Sequence, residues 1–112
     1  MLIPVVPPFR RRRGKARPAG LAIVSVLTQG AELVVTFSGP ITWDGSTVPS
    51  AFQAFTTDED FQSCINVNEV GAAYVKLEFN ADVDAGAAWQ LVGPMAGISP
   101  AVAWPQTGVV EP

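Results

Sequence analysis

From Leu21 onward the chain is written in short runs where apolar and polar side chains alternate every second residue, the period of a half-buried β-strand. Residues 22–28 are predicted as a strand, Gln29-Gly30 as a turn and residues 32–37 as its hairpin partner. Leu33, Val35 and Phe37 then share one face, and Glu32, Val34 and Thr36 the other. Ser38-Gly39-Pro40 stops that strand, and residues 41–43 lead into Asp44-Gly45, a turn signal, then a small-residue connection through Pro49. Residues 52–55 form a short strand, and 57–60 a loop or a single helical turn with Thr57 as its N-cap. A second hairpin is expected from residues 62–67 and 72–79, joined by Asn68-Glu69-Val70-Gly71, with Ala73, Val75, Leu77 and Phe79 inward and Tyr74, Lys76 and Glu78 outward. Residues 82–86 make the next turn, 87–92 the next strand and 101–104 a last short one before the tail 105–112. No span keeps a helical period over ten or more residues.

Six or seven short strands punctuated by Gly and Pro predict an all-β domain over residues 20–112, an antiparallel β-sandwich of immunoglobulin-like or jelly-roll-like kind in preference to a small barrel. Its core is expected to hold Leu33, Val35, Phe37, Ile65, Val75, Leu77, Phe79, Trp89 and Leu91. At about 25 cal/mol per Å² and upwards of ~150 Å² for each aromatic, Trp89 and Phe79 each contribute several kcal/mol as upper bounds.

Before residue 20 the texture is different. Pro4, Pro7, Pro8 and Pro18 lack a backbone donor and fix φ near about −65°, which predicts an extended arm over residues 1–19 with a maximal reach of about 65 Å. Leu2, Ile3, Val5, Val6 and Phe9 form an apolar hook, and Arg10, Arg11, Arg12, Arg13, Lys15 and Arg17 a cationic strap behind it. These are six of the seven basic residues of the 112-residue chain. Residues 18–112 keep one lysine, Lys76, against all ten carboxylates, a formal charge of −9 that the net −3 conceals. A strap of that kind meets nucleic acid phosphate, an anionic membrane surface or an acidic protein surface, copies of its own body included. Its plainest alternative is a solvated tail that aids solubility.

Composition removes several classes of chemistry. With no histidine, the commonest general base and metal ligand is missing, and an enzyme is not expected. No phosphate-cradling glycine motif occurs, since Gly93-Pro94-Met95-Ala96-Gly97 lacks the strand-to-helix setting. Cys64, the single cysteine, can form no disulfide within the chain and is read as a small buried hydrophobe. No cofactor is called for. Asp58-Glu59-Asp60 and Asp82 with Asp84 are solvated acidic loops before they are Ca²⁺ ligands, because neither follows an EF-hand spacing. The leader differs from an export signal in that prolines break its apolar stretch and the charges follow it. No apolar run approaches the ~20 residues of a spanning helix, so membrane insertion is not expected. Of the three tryptophans, Trp89 belongs to the core, while Trp43 and Trp104, at element ends, are candidates for an interface.

The stretch Pro7-Pro8-Phe9-Arg10-Arg11-Arg12-Arg13-Gly14-Lys15, with the strand texture of residues 21–27 and 29–37 and the Pro40-Ile41 that follows, resembles small bacteriophage and prophage virion structural proteins that join an extended N-terminal arm to an immunoglobulin-like β-domain. The resemblance covers about the first third of the chain and is one of style, without a diagnostic motif. It implies a minor capsid, cementing or vertex protein, made in the host cytoplasm and located in the virion, whose arm ties it to other shell proteins and to copies of itself. Two rivals remain: a nucleic-acid-binding or genome-packaging accessory that uses the basic arm, and an adhesion or sugar-binding β-module that uses Trp43 and Trp104.

Overall fold

The strongest alternation in the chain, that of residues 32–37, makes one strand of its first hairpin, β1 (Ile23–Gln29) and β2 (Glu32–Phe37). The turn is centred one residue later than expected, on Gly30 and Ala31, with Gln29 opposite Glu32 and the positive φ, 76°, at Gly30. This computed structural model describes residues 20–112; the arm read over residues 1–19 lies outside the described residues. Eight further strands follow: β3 (Thr42–Trp43), β4 (Phe52–Phe55), β5 (Phe61–Ser63), β6 (Asn66–Val70), β7 (Tyr74–Glu78), β8 (Ala88–Leu91), β9 (Ile98–Ser99) and β10 (Gln106–Val109). Among the described residues there is no helix.

The strands build two four-stranded antiparallel sheets, β1-β2-β7-β6 and β10-β8-β4-β5, with a small β3-β9 ladder at one end. The expected sandwich is the fold. Val26, Leu33, Val35, Val67, Val75 and Leu77 of the first sheet meet Phe52, Ala54, Trp89 and Leu91 of the second in one core. At its centre Phe52 stacks on Trp89 (centroids 5.6 Å, 17° between planes) and tilts against Phe79 at 6.4 Å. Offset aromatic pairs of this kind add about 0.5–1.5 kcal/mol to the area they bury. Gly108 is required there: a Cβ on it would stand 2.7 Å from the Trp89 ring.

Both sides of the sandwich are closed by a segment that changes sheets. On one side the Cys64 amide donates to Phe52 O in the second sheet (3.2 Å), and the next amide, Ile65, donates to Glu78 O in the first (2.8 Å). On the other, Val110 N bonds to Ala87 O (2.8 Å) and Glu111 N to Val26 O (2.7 Å), so the last residues cover the β1 edge. Sheets joined at corners in this way leave few open edges.

That crossing overturns part of the expected register. Residues 62–67 are not one strand; they break at 64–65, which turns Cys64 into the core at 3% exposure and Ile65 outward at 45%. Residues 68–70, expected as a turn, belong to β6, and the connection to β7 is made at 71–73. Thr57 caps no helical turn. Instead Thr56 N donates to Asp60 O (3.0 Å), and the buried Thr56 hydroxyl accepts the Asp58 amide (3.1 Å). Residues 101–104 contribute only a parallel bridge from Val102 to Leu21, while the expected tail supplies β10.

Candidate interaction face

The outer faces of the two sheets have opposite character. On the first, Glu32, Glu69, Lys76 and Glu78 lie outward, and Glu69, Lys76 and Glu32 are engaged with one another or with the neighbouring Tyr74 and Asn68. Lys76 Nζ lies 3.5 Å from Glu69 Oε1, the Tyr74 hydroxyl donates to Glu69 Oε2, and Asn68 Nδ2 donates to Glu32 Oε2 at 2.8 Å. The Tyr74 hydrogen bond, followed by the Lys76 charge, holds the Glu69 carboxyl below its ordinary value, and the same hydrogen bond raises the Tyr74 phenol.

The four strands of the second sheet contain no charged residue. Strand alternation sends Phe52, Ala54, Trp89 and Leu91 inward and leaves two outward rows. One is polar: Thr107, Gln90, Gln53 and Ser63, with Gln90 Nε2 donating to Gln53 Oε1 at 2.7 Å. The other is apolar. Val109 pairs with Ala88 and Phe55 with Phe61, and the β4–β8 register, continued by one residue, sets Ala88 beside Phe55. Val109, Phe55 and Phe61 are 59%, 39% and 41% exposed, and the two phenyl rings meet edge to face at 5.4 Å.

Acids rim the end of the sheet that carries this row. The β4–β5 turn presents Asp58, Glu59 and Asp60; the lead into β8 presents Asp82 and Asp84; Glu111 follows two residues after Val109. Backbone bonds join these loops, from Thr57 N to Asp82 O (2.9 Å) and from Gly86 N to Val110 O (2.7 Å). Gln62 Nε2 donates to both Asp58 Oδ2 (3.1 Å) and Asp60 Oδ1 (3.0 Å), which fixes the spacing of those carboxylates. Among the described residues no three or more acidic or cysteine side chains are grouped to hold a metal ion, and no enclosed pocket is present.

The expected site residues lie apart from this row or beyond the described residues. Leu2, Ile3, Val5, Val6, Phe9, Arg10, Arg11, Arg12, Arg13, Lys15 and Arg17 all fall outside them. Trp43 is half-buried against the core, its Nε1 donating to Thr47 O at 2.7 Å. Trp104 stands 47% exposed at the opposite end of the second sheet, beside the start of β10. Cys64 is buried, its Sγ donates to Pro49 O at 3.3 Å, and burial pushes its thiol up to about 12. Sequence reasoning missed Phe55, Phe61 and Val109. The signal available was the placing of Phe55 and Phe61 on either side of an acidic turn. No protein-family model, curated protein or solved structure matches the chain.

Proposed function

We propose that this is a non-enzymatic structural protein of a larger assembly, a virion component of the minor capsid, cementing or vertex kind, in which a rigid β-sandwich is tied to neighbouring subunits by the basic arm of residues 1–19. The observation that carries it is the partition of charge: six cations within residues 10–17 against a body of one lysine and ten carboxylates. Such a chain is built to attract acidic protein surfaces, its own kind included, and to repel the polyanions that its arm alone would bind. The sheet-switching corners and aromatic core support a scaffold role, and the resemblance of residues 7–41 to small phage structural proteins supports the virion setting.

Removal of residues 2–19 tests this directly. The truncated chain is expected to keep the far-ultraviolet spectrum and melting behaviour of a folded β-domain. It should also stay at the top of a sedimentation gradient in which the full chain, isolated from cells that make its natural assembly, travels with particles carrying many copies. A truncated chain that still enters the particle removes the arm from the attachment. A genome-packaging role predicts instead that the full chain shifts DNA at low salt with a log–log salt slope of about −5 for six phosphate contacts.

A further inference from the structure

We propose that the apolar row Val109–Ala88–Phe55–Phe61, with its acidic rim, is the seat for the arm of a second copy of this chain, so that copies join head to tail. The proposal rests on the attachment role given above and names its partner and site.

Three features lead to this occupant. First, the chemistry matches in kind. The row is apolar, the turn that joins Phe55 to Phe61 carries Asp58, Glu59 and Asp60, and the segments bonded to it or following Val109 carry Asp82, Asp84 and Glu111; the arm has five large apolar side chains followed by six cations. Second, the dimensions agree. Four strands span about 14 Å at ~4.8 Å spacing, within the ~28 Å of nine extended residues. Third, the order of the arm selects a neighbour over the chain's own body. Gly20 joins the sandwich at the start of β1, where Leu21 N bonds to Ala101 O (2.9 Å) and Ile23 N to Gln106 Oε1 (3.0 Å). Gln106 opens β10 and Val109 closes it, so the arm leaves at the end opposite the rim.

An arm turning back along its own second sheet would cross the four residues of β10 within about four residues of its own, at ~3.3 Å each, so that Arg13 to Arg10 reach or pass the rim and the hook, Phe9 to Leu2, lies beyond the apolar row. An arm arriving from a copy stacked against the rim meets the acids with its cations first, and its hook then continues onto the row. Donor end and acceptor end are therefore opposite ends of one domain. Contacts of that kind are heterologous and close into rings or extend as strings.

Sedimentation velocity on the full chain at low salt provides the test, with two variants. One carries Phe55→Ser and Phe61→Ser and keeps the arm; the other replaces Arg10–Arg13, Lys15 and Arg17 by Ser and keeps the face. Wild type is expected to self-associate with rising concentration, and each variant alone to do so at least ~10-fold more weakly, as for loss of an interface anchor. Mixed, the two should form a one-to-one pair that does not grow, since only one arm and one seat remain. Because both phenylalanines are exposed, the serines are expected to leave the melt intact. Should they unfold the chain, Asp58→Asn, Glu59→Gln and Asp60→Asn together replace them with the same expectation. Self-association of the face variant at wild-type strength overturns the proposal and leaves arm-mediated attachment standing. A full chain that stays monomeric at every concentration, with its arm protected from protease, places the arm on its own domain and overturns both.

Discussion

At the scale of single residues the packing around Trp89 sets the stability of the domain. Its indole is stacked on Phe52 and faces the bare backbone of Gly108, so neither partner has room to move. Gly108→Ala forces a methyl into the ring and is expected to cost about 1–3 kcal/mol, whereas Phe52→Ala opens a cavity and costs about 3–5 kcal/mol, both read from urea denaturation midpoints. Cys64 gives a probe of the same core. With its thiol pushed up to about 12 by burial, almost no thiolate exists near neutrality. A disulfide reagent is expected to leave the native protein unmodified and to react at a rate that follows unfolding as urea is added; rapid reaction in buffer would place Cys64 outside the core. Both roles could be read in the sequence, because a tryptophan in an alternating strand and a cysteine beside isoleucine are governed by local composition. The exposure of Ile65 could not, since it depends on where the chain changes sheets.

At the scale of elements, legibility tracked the range of the forces involved. The β1–β2 hairpin and β7 follow from period-two alternation against one core, and their inward residues fall where the pattern puts them. β10 did not, because Gln106-Thr107-Gly108-Val109 has weak strand propensity and is held by pairing with β8 and by packing of Gly108 on Trp89. The corner at Glu111 likewise depends on two bonds to β1, Thr28 N to Glu111 O and Glu111 N to Val26 O. Deleting residues 110–112 uncovers that edge and removes the buried Val110, an expected loss of about 2–3 kcal/mol with a rise in aggregation on heating. The outer face of the first sheet carries the pH response together with the turn after β3, where the Thr47 hydroxyl and amide and the Ser46 amide hydrogen-bond the Asp44 carboxylate. Glu69 and Asp44 have folded values below their ordinary 4.5 and 3.8, so the stability they contribute is complete above those values and is lost as pH falls through the lower folded ones. Tyr74 is raised above its ordinary 10.0, so its contribution is complete below that pH and is lost as pH climbs through the higher folded value. Glu69→Gln is expected to flatten both limbs of the urea midpoint against pH, leaving the acid limb due to Asp44; an unchanged alkaline limb would show that the phenol does not depend on Glu69. All three groups are exposed, which keeps the amplitude small.

At the scale of the whole molecule the chain is a dipole in two senses, a cationic leader on an anionic body and, within the second sheet, an acidic end facing away from the residue where the leader joins. The first was plain from counting charges along the sequence. The second needed the topology, because the separate segments that carry Asp58–Asp60, Asp82, Asp84 and Glu111 are brought to one end only when β4, β5, β8 and β10 set their ends side by side. Salt separates what each half contributes. Screening over about 10 Å at 0.1 M weakens pairing between the strap and the carboxylates, but it does not weaken burial of the hook against Phe55 and Phe61. Self-association of the full chain is therefore expected to fall as salt is raised from low values and then level off above the point where ion pairing is screened. In the Phe55→Ser, Phe61→Ser variant the residual plateau should vanish while the initial fall remains. In the variant lacking the six cations the curve should be flat and low throughout. A single uninterrupted decline for wild type, with no plateau left at high salt, would mean that ion pairing alone joins the copies and that the hook is not buried against Phe55 and Phe61.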